Sequence, residues 1–362
     1  MIDESSLQRL QAIGLTPPML GRALALAPDH PDAQLLRVTE VQREGLRLHD
    51  GERETGARLL PALRQRLADA ADAVAVGDWV LATADAHGQQ WVAERLPPLS
   101  QIARRLHDGR DKLTRTVIVS NVDTALLVMG LDQDYNLRRL ERYLALARLA
   151  GVAAVVVLTK ADLCEPGDAA ARLRELRSLL PAAAAAVALD ARAGAPRERL
   201  APWLVAGQTL VLLGSSGVGK STLSNALTGS ALQATGASRA GDGRGRHTTT
   251  TRTLHRTPEG ACLIDTPGLR ALRLDADVGA LDTVFDDVAT LAPACRFRDC
   301  RHVGEPGCAV RDGVAPERLR SYHKLQREAE RDMLTVLQRR EQVAAWKARS
   351  RAARERLRGR QG

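Results

Sequence analysis

Residues 214–221 read Gly-Ser-Ser-Gly-Val-Gly-Lys-Ser, and this stretch decides the fold. It fits the pattern G-x-x-x-x-G-K-[ST], in which backbone N–H groups and a helix N-terminus hold the phosphates of a nucleotide. An apolar strand precedes it at 210–213, and a helix-compatible stretch follows from Thr222. Lys220 is expected to reach the β and γ oxygens, and the Ser221 hydroxyl is a predicted Mg²⁺ ligand. The predicted phosphate-binding residues are Gly214, Ser215, Ser216, Gly217, Val218, Gly219, Lys220, Ser221 and Thr222.

A second motif lies downstream, where Cys262-Leu-Ile-Asp-Thr-Pro-Gly places an aspartate at the end of an apolar strand. Asp265 is suited to hold Mg²⁺ through water, and the Gly268 N–H to touch a γ-phosphate. Between the two motifs, residues 241–251 are rich in glycine, arginine and threonine. We expect this stretch to act as a switch loop, with Thr249 or Thr250 completing the metal shell; the alternative is an ordinary surface loop.

A third motif lies upstream, where the apolar run 155–158 is followed by Thr159, Lys160, Ala161 and Asp162. A carboxylate at Asp162 can accept both the N1 and N2 hydrogens of guanine, a pair that adenine does not offer. The Lys160 stem can lie along the base plane. Together with the phosphate loop, this motif predicts selectivity for guanine nucleotides.

The composition limits the class of protein. The chain has 362 residues, of which 44% are apolar, so it is long enough for two or three folded domains. No apolar window is long enough to span a membrane, and the polar start is unlike a signal peptide, so we expect a cytoplasmic protein. Of its 52 cations only five are lysines, and two of these are Lys160 and Lys220. A compact ammonium is required at both positions.

Hydrophobic patterning predicts the surrounding architecture. Short apolar alternations between 35 and 96 indicate a small β-barrel. Trp79 and Trp91 in this region are either core residues or platforms for base stacking. From Thr116, the apolar runs 117–119, 125–128, 155–158 and 209–213 alternate with amphipathic helices at 137–149 and 172–180. This rhythm predicts a parallel sheet covered by helices.

A cysteine cluster follows the nucleotide motifs. Three cysteines and one histidine lie within fourteen residues, at Cys295, Cys300, His302 and Cys308. Three thiolates and an imidazole form a closed tetrahedral set typical of structural Zn²⁺. No ligand position is left open for catalysis, so we expect the ion to stabilise the fold.

Basic residues are concentrated at the C-terminus. From Val314 to the end there are fourteen lysines and arginines against six acids, which accounts for most of the net charge of +9. A basic helical arm suits RNA phosphates, and its binding should weaken steeply with salt. The alternative for the residues before Arg339 is a solvated helix.

In ordinary GTPases the guanine motif follows the phosphate loop, whereas here T-K-x-D comes first, then G-x-x-x-x-G-K-S, then D-T-P-G. With G-R-G-R-H-T-T-T at 243–250, a preceding barrel and a following cysteine cluster, the chain resembles the ribosome small-subunit-dependent GTPase A family (RsgA type). The resemblance implies a leader at 1–33, an OB-fold barrel at 34–105, a circularly permuted GTPase domain at 106–274, and a zinc-binding and helical domain at 275–362.

The resemblance also implies a function. A member of this family binds rRNA, assists late maturation of the small (30S) ribosomal subunit and helps to release a maturation factor. It is expected to be a monomer that binds GTP and GDP, hydrolyses GTP slowly with stimulation by the subunit, and carries one structural Zn²⁺ and Mg²⁺ with GTP.

This chain departs from the family pattern at three positions. Thr159 replaces the usual asparagine, which weakens one expected hydrogen bond that holds the loop. Asp190 stands where serine is expected, so only the backbone contact of Ala191 is carried over. Leu269 follows D-T-P-G, so no glutamine there can orient water. The family assigns that role to the switch histidine, which corresponds to His247; an exposed loop histidine is the alternative.

Two other classes of function stay open at this point. One is a GTP-gated RNA-binding module in which hydrolysis has no physiological importance. The other is a P-loop kinase that acts on a small molecule, which the guanine motif disfavours.

Overall fold

Five parallel strands form the part of the sheet that carries the phosphate loop, in the spatial order β10-β9-β8-β11-β13. Each is a short apolar run, and β8 and β11 are buried along their whole length, as expected for a parallel sheet covered on both faces. The strands are β8 (Thr124–Gly130), β9 (Ala153–Thr159), β10 (Ala185–Ala188), β11 (Thr209–Gly214) and β13 (Cys262–Asp265).

Four helices accompany these strands, and the sheet core is built from their apolar faces and the strand residues. Leu126, Val157, Leu212 and Leu223 lie in this core and are fully or almost fully buried. The helices are α4 (Leu137–Leu149), α5 (Asp168–Leu179), α6 (Pro196–Leu200) and α7 (Lys220–Thr228). The predicted helix at 137–149 is confirmed in full, and the helix predicted at 172–180 begins four residues earlier.

A five-stranded barrel precedes the parallel sheet along the chain. Its strands pair in the closed order β1-β2-β3-β5-β4 and back to β1, with β3 and β5 parallel. Its members are β1 (Gln34–Val41), β2 (Leu46–His49), β3 (Glu54–Leu59), α3 (Pro61–Asp69), β4 (Trp79–Ala84) and β5 (Gln90–Arg95). The predicted β-barrel is thus present; β3 and α3 were not predicted. Trp79 is 1% exposed and belongs to the core, while Trp91 is half-buried.

Strand β12 (Thr253–Arg256) connects the two parts into one sheet, because it pairs antiparallel with β13 on one side and with β1 on the other. The strand predicted at 117–119 is present, but its predicted place in the parallel sheet is wrong. These residues belong to β7 (Leu113–Ser120), which forms a separate two-stranded sheet with β6 (Gln101–His107). The apolar run is equally compatible with either sheet, because periodicity does not identify the partner strand.

The structure is a computed structural model that describes residues 3–107, 113–165, 167–180, 184–193, 195–229, 252–267 and 281–333. The chain divides into two compact units, one from Met1–Arg104 and Arg115–Leu272, the other from Arg105–Thr114 and Arg273–Gly362. The first unit begins with two helices, α1 (Glu4–Ala12) and α2 (Pro17–Leu26). None of the helices within the described ranges combines the length and apolar character that a membrane span requires.

The second unit contains four described helices around the cysteine cluster. Phe285 packs edge-on against Tyr322 with ring centroids 5.3 Å apart, and Arg318 pairs with Asp287. These contacts tie the longest of these helices to the short helices before it. The helices are α8 (Leu281–Val284), α9 (Asp286–Leu291), α10 (Ala309–Gly313) and α11 (Pro316–Met333).

Candidate nucleotide and metal sites

Four strands deliver the predicted nucleotide-site residues to one edge of the parallel sheet. Thr159 ends β9, Gly214 ends β11 and Asp265 ends β13, while Ala191 follows β10 by three residues. The strands run in the same direction, so their carboxyl ends meet at one edge, which is where open α/β sheets bind ligands. Motifs that are far apart in the sequence are thus brought to a common edge.

Glycines allow the phosphate loop to make its turn between β11 and α7. Gly217 and Gly219 have φ of +84° and +94°, a region that favours glycine. A side chain at Gly214 would place its Cβ 2.4 Å from the carbonyl oxygen of Val128, so the strand accepts no larger residue there. The loop ends at Lys220, the first residue of α7, where the positive end of the helix dipole favours an anion.

Lys220 lies across the phosphate loop and is almost completely buried. Its Nζ donates to the carbonyl oxygens of Gly214 at 3.0 Å and Ser215 at 2.6 Å. Burial lowers the pKa of Lys220 to about 8, and the nearby Asp265 carboxylate acts in the opposite direction. An ammonium held in this position could exchange carbonyl partners for phosphate oxygens, which would restore a higher pKa.

Asp265 supplies a buried carboxylate beside Lys220. Its side chain has no exposed surface. Burial raises its pKa to about 6, while the nearby Lys220 ammonium acts in the opposite direction. Carboxylate and hydroxyl oxygens are the ligands that Mg²⁺ prefers. Asp265 together with Ser221, in the first turn of α7, therefore fits the predicted Mg²⁺ site chemically.

Thr159 connects the guanine motif to the phosphate loop. Its hydroxyl donates to the carbonyl oxygen of Val218 at 2.5 Å, with Met129 O further away at 3.4 Å. Both Thr159 and Val218 are buried. Thr159 therefore does make a hydrogen bond to the phosphate loop. The sequence had suggested that replacing asparagine by threonine would weaken a contact that holds the loop.

The other residues of the guanine motif lie in the turn after β9. Lys160 has φ of +61°, and its Nζ forms an ion pair with Asp132 Oδ2 at 2.6 Å. Ala161 and Asp162 lie in the single 3-10 turn that follows, with Asp162 exposed. An exposed carboxylate at the strand edge is available to a base, as the guanine hypothesis requires.

The structure also gives a role to Asp190. Its carboxylate accepts a hydrogen bond from the Arg192 N–H at 2.8 Å and so closes the turn that contains Ala191, which is itself buried. An aspartate stabilises such a turn by the same hydrogen bond that a serine makes.

Sequence reasoning missed a group of charged residues after β8. Asp132 pairs with Lys160, while Asp134 pairs with Arg139, which contacts Ser215. Arg139 Nη1 donates to Ser215 Oγ and to Asp134 Oδ1, the latter at 2.8 Å. Tyr143, whose pKa burial raises to about 12, also hydrogen-bonds Ser215. The sequence signal that could have identified this group is the pair Asp132 and Asp134, which follows a fully buried strand.

The predicted zinc ligands come together in the second unit. The ligand atoms of Cys295, Cys300, His302 and Cys308 all lie within 4.8 Å of one another. Tetrahedral Zn²⁺ requires S–S separations of about 3.8 Å and S–N separations of about 3.6 Å. Cys295 Sγ lies 3.9 Å from Cys308 Sγ, and His302 Nδ1 lies 3.6 Å and 3.5 Å from these two sulfurs. The four side chains therefore fit a zinc ion.

Backbone groups support this cluster. Cys308 is the N-cap of α10, and its sulfur accepts from the Arg311 N–H at 3.4 Å. Hydrogen bonds from the backbone of Val310 and Ala309 hold the pKa of Cys295 below its ordinary value. Donors aimed at sulfur favour the thiolate form, which is the form that binds metal.

Several predicted residues lie outside the described part of the chain. These are Gly268, the switch residues His247, Thr249 and Thr250, and the basic arm from residue 334 onward. Their predicted roles stay predictions.

The fold and the order of its motifs define a class of protein. The T-K-x-D strand precedes the phosphate-loop strand along the chain, yet both end at the same sheet edge. This is the arrangement of a circularly permuted GTPase.

Comparison with known proteins agrees with this class. A family model described as RsgA GTPase matches residues 100–275. The small ribosomal subunit biogenesis GTPase RsgA of Xylella fastidiosa strain M23 is 43% identical over 338 residues, which cover 90% of this chain and 99% of the relative. The protein of the same name from Xanthomonas campestris pv. campestris strain B100 is 44% identical over 329 residues, or 88% of each chain. This chain belongs to the RsgA GTPase family.

Solved structures show the same architecture. The crystal structure of YjeQ from Thermotoga maritima aligns with a TM-score of 0.61 and 26% identity, over 82% of this chain and 98% of that one. YloQ, described as a circularly permuted GTPase, aligns with a TM-score of 0.58 over 84% of this chain and 98% of its own. At 21% identity, the second comparison supports the fold alone.

Proposed function

We propose that this protein is a GTP hydrolase that assists late maturation of the small (30S) ribosomal subunit. The observation that carries the proposal is the hydrogen bond from Thr159 to Val218, which ties a guanine-type motif to a phosphate loop at one sheet edge. Relatives named for small ribosomal subunit biogenesis support the choice of substrate particle. In this proposal, GTP conversion to GDP and phosphate controls release from the subunit and helps a maturation factor to leave.

Different residues at the sheet edge bind the base and the phosphates of GTP. Asp162 accepts the two guanine hydrogens, Lys160 covers the base plane and Ala191 contributes a backbone contact. The phosphate loop from Gly214 to Thr222 holds the phosphates, with Lys220 at the β and γ oxygens. Mg²⁺ bound with GTP would offset the negative charge that develops on those oxygens during hydrolysis.

Three roles in hydrolysis are proposed from the motifs alone. Ser221 and Asp265, with Thr249 or Thr250, would hold the Mg²⁺ ion. The Gly268 N–H would meet the γ-phosphate. A neutral His247 imidazole would orient or deprotonate the attacking water, because Leu269 offers no polar group for that purpose.

The remaining parts of the chain are proposed to bind the particle. We assign an OB fold to the barrel at 34–105, since its closed five-stranded order is compatible with that fold. The GTPase domain would span 106–274 and the zinc-bearing domain 275–362, with one structural Zn²⁺ on the Cys295 cluster. The basic arm beyond α11 would contact rRNA phosphates. We propose a monomer that acts in the cytoplasm, where ribosomal subunits mature.

The proposal is tested by GTP hydrolysis with and without purified small subunits, at two salt concentrations. We expect slow turnover alone and faster turnover with subunits, and we expect the stimulation to weaken at higher salt because phosphate contacts release counterions. If the protein binds subunits in a nucleotide-dependent manner but subunits do not stimulate GTP hydrolysis, a GTP-gated RNA-binding module is favoured instead.

A further inference from the structure

A loop without a predicted role lies between the two halves of the nucleotide site. Residues 131–136, here called the bridging loop, follow β8, the strand that separates β9 from β11 in the sheet. The loop begins beside the guanine motif, because the Leu131 N–H donates to the carbonyl oxygen of Thr159 at 3.0 Å. It ends at Asn136, which caps α4 by accepting from the Arg139 N–H at 3.1 Å.

On the guanine side, the bridging loop holds Lys160. Asp132 Oδ2 lies 2.6 Å from Lys160 Nζ, in a pair that is about one-quarter to one-third exposed. Arg172 of α5 contacts both ends of the loop, since it donates to the carbonyl oxygen of Leu131 at 2.6 Å and lies 5.0 Å from the Tyr135 ring centroid. Lys160 is thus paired with a carboxylate in a loop that Arg172 contacts at Leu131 and Tyr135.

On the phosphate side, the bridging loop holds Arg139. Asp134 Oδ1 accepts from Arg139 Nη1 at 2.8 Å, and the same nitrogen donates to Ser215 Oγ in the phosphate loop. The carbonyl oxygen of Ser215 in turn accepts from Lys220 Nζ at 2.6 Å. Polar contacts therefore run without a break from Asp134 to the lysine that is proposed to meet the phosphates.

The two sides are joined within the loop itself. The Asp134 N–H donates to Asp132 Oδ1 at 3.2 Å. The Asp132 carboxylate therefore accepts a hydrogen bond from the backbone of the residue that carries the Asp134 carboxylate, so the positions of the two residues are linked. Both ends of the loop are also held by hydrogen bonds, from Arg172 to the Leu131 carbonyl oxygen at its start and from the Arg139 N–H to Asn136 at its end.

We propose that the bridging loop couples base recognition to phosphate binding, with Arg139 as a positioning residue for the phosphate loop and Asp132 as a positioning residue for Lys160. The inference rests on the proposed GTP site. Arg139 acts through Ser215 and Asp132 acts through Lys160, so neither residue needs to touch the nucleotide. Binding of a guanine base against Lys160 thereby affects the position of the loop that receives the phosphates.

The test is a double-mutant cycle on nucleotide affinity, with Asp132→Asn, Arg139→Gln and the double variant. GTP and ITP are titrated into each protein, because ITP lacks the 2-amino group that Asp162 is proposed to read. Each single substitution should lower GTP affinity about three- to tenfold, as expected for a partly exposed charged hydrogen bond. Arg138→Gln is the matched control, since Arg138 is an exposed neighbour on α4 and its substitution changes the charge equally.

Two readouts distinguish coupling from two local effects. The fold-loss of GTP affinity in the double variant should be smaller than the product of the fold-losses in the two single variants. Arg139→Gln should also reduce the preference for GTP over ITP, although Arg139 lies on the phosphate side. Ser215→Ala removes the hydroxyl that Arg139 and Tyr143 both contact, and it keeps the test available if Arg139→Gln does not fold.

The coupling would be overturned if the loss of GTP affinity in the double variant equals the product of the single losses and the preference for GTP over ITP is unchanged. This holds for variants whose thermal unfolding matches the wild type. The proposed function would then still stand. A wild-type protein that binds neither nucleotide would overturn the proposed function, and the coupling with it.

Discussion

The most informative single perturbation is Thr159→Val. Valine has nearly the shape of threonine but cannot donate the hydrogen bond that reaches Val218 O at 2.5 Å. Val218 is 1% exposed, so little water can replace the lost donor. A buried carbonyl left without its partner costs about 1–3 kcal/mol, which corresponds to about a 5- to 150-fold change in an equilibrium constant.

We expect this cost to appear in nucleotide binding. Val218 lies inside the phosphate loop, and loss of its tie to β9 frees the backbone that must cradle the phosphates. The dissociation constant for GTP should therefore rise at least about fivefold. Titration with a fluorescent GTP analogue measures the effect, and urea unfolding measures the change in the free energy of unfolding. Thr159→Ser, which keeps the hydroxyl, should stay close to the wild type.

The barrel offers a matched control. Thr39 is also a buried threonine, and its hydroxyl donates to the carbonyl oxygen of Arg47 at 3.3 Å. Thr39→Val should lower the free energy of unfolding without altering the dissociation constant for GTP. The reasoning is refuted if Thr159→Val behaves in the same way, with lower stability and unchanged GTP affinity.

Three further predictions address the metal ions, the protons and the catalytic step. Asp265, with a pKa near 6, must lose its proton to hold Mg²⁺, and Lys220, with a pKa near 8, must keep its proton to hold phosphate. Calorimetry should therefore show the highest affinity for Mg²⁺·GTP between pH 6 and pH 8, and the affinity should fall as the pH drops through 6 or rises through 8. An affinity that does not change with pH contradicts both assignments. Zinc analysis should find one equivalent in the wild-type protein and a large loss in Cys300→Ser, with a lower unfolding temperature, whereas full zinc retention by the variant would remove Cys300 from the ligand set. His247→Ala should bind GTP normally and lose subunit-stimulated turnover, and unchanged turnover would eliminate its catalytic role.

The strand–loop–helix setting of the phosphate motif could be predicted because it is encoded locally. The glycines at 217 and 219 allow the positive φ angles that the loop adopts, and this preference is encoded in those residues themselves. The convergence of the three cysteines and the histidine was likewise predictable, since four metal-ligating side chains lie within fourteen residues. The helix at 137–149 was predicted in full because its apolar face repeats with a helical period.

What the sequence missed depends on tertiary contacts. Strand β10 lies in an alanine-rich stretch that has little strand propensity, and only its parallel pairing with β9 makes it a strand. Residues 117–119 carry the same apolar pattern as the central strands but pair elsewhere. Asp132 and Arg139 lie in no motif, and their relevance follows only from Lys160 and Ser215 lying beside them in space.

The central claim is that the upstream T-K-x-D motif reads the base of the nucleotide whose phosphates the downstream loop holds. Asp162→Asn tests it most directly, because Asp162 is exposed and the substitution should not disturb the fold. An asparagine offers one acceptor and one donor, which match the N1 hydrogen and the 2-oxo group of xanthine and no longer match guanine. Nucleotide titration of Asp162→Asn should show weaker GTP binding and stronger XTP binding than the wild type. Unchanged preference for GTP over XTP would contradict the account.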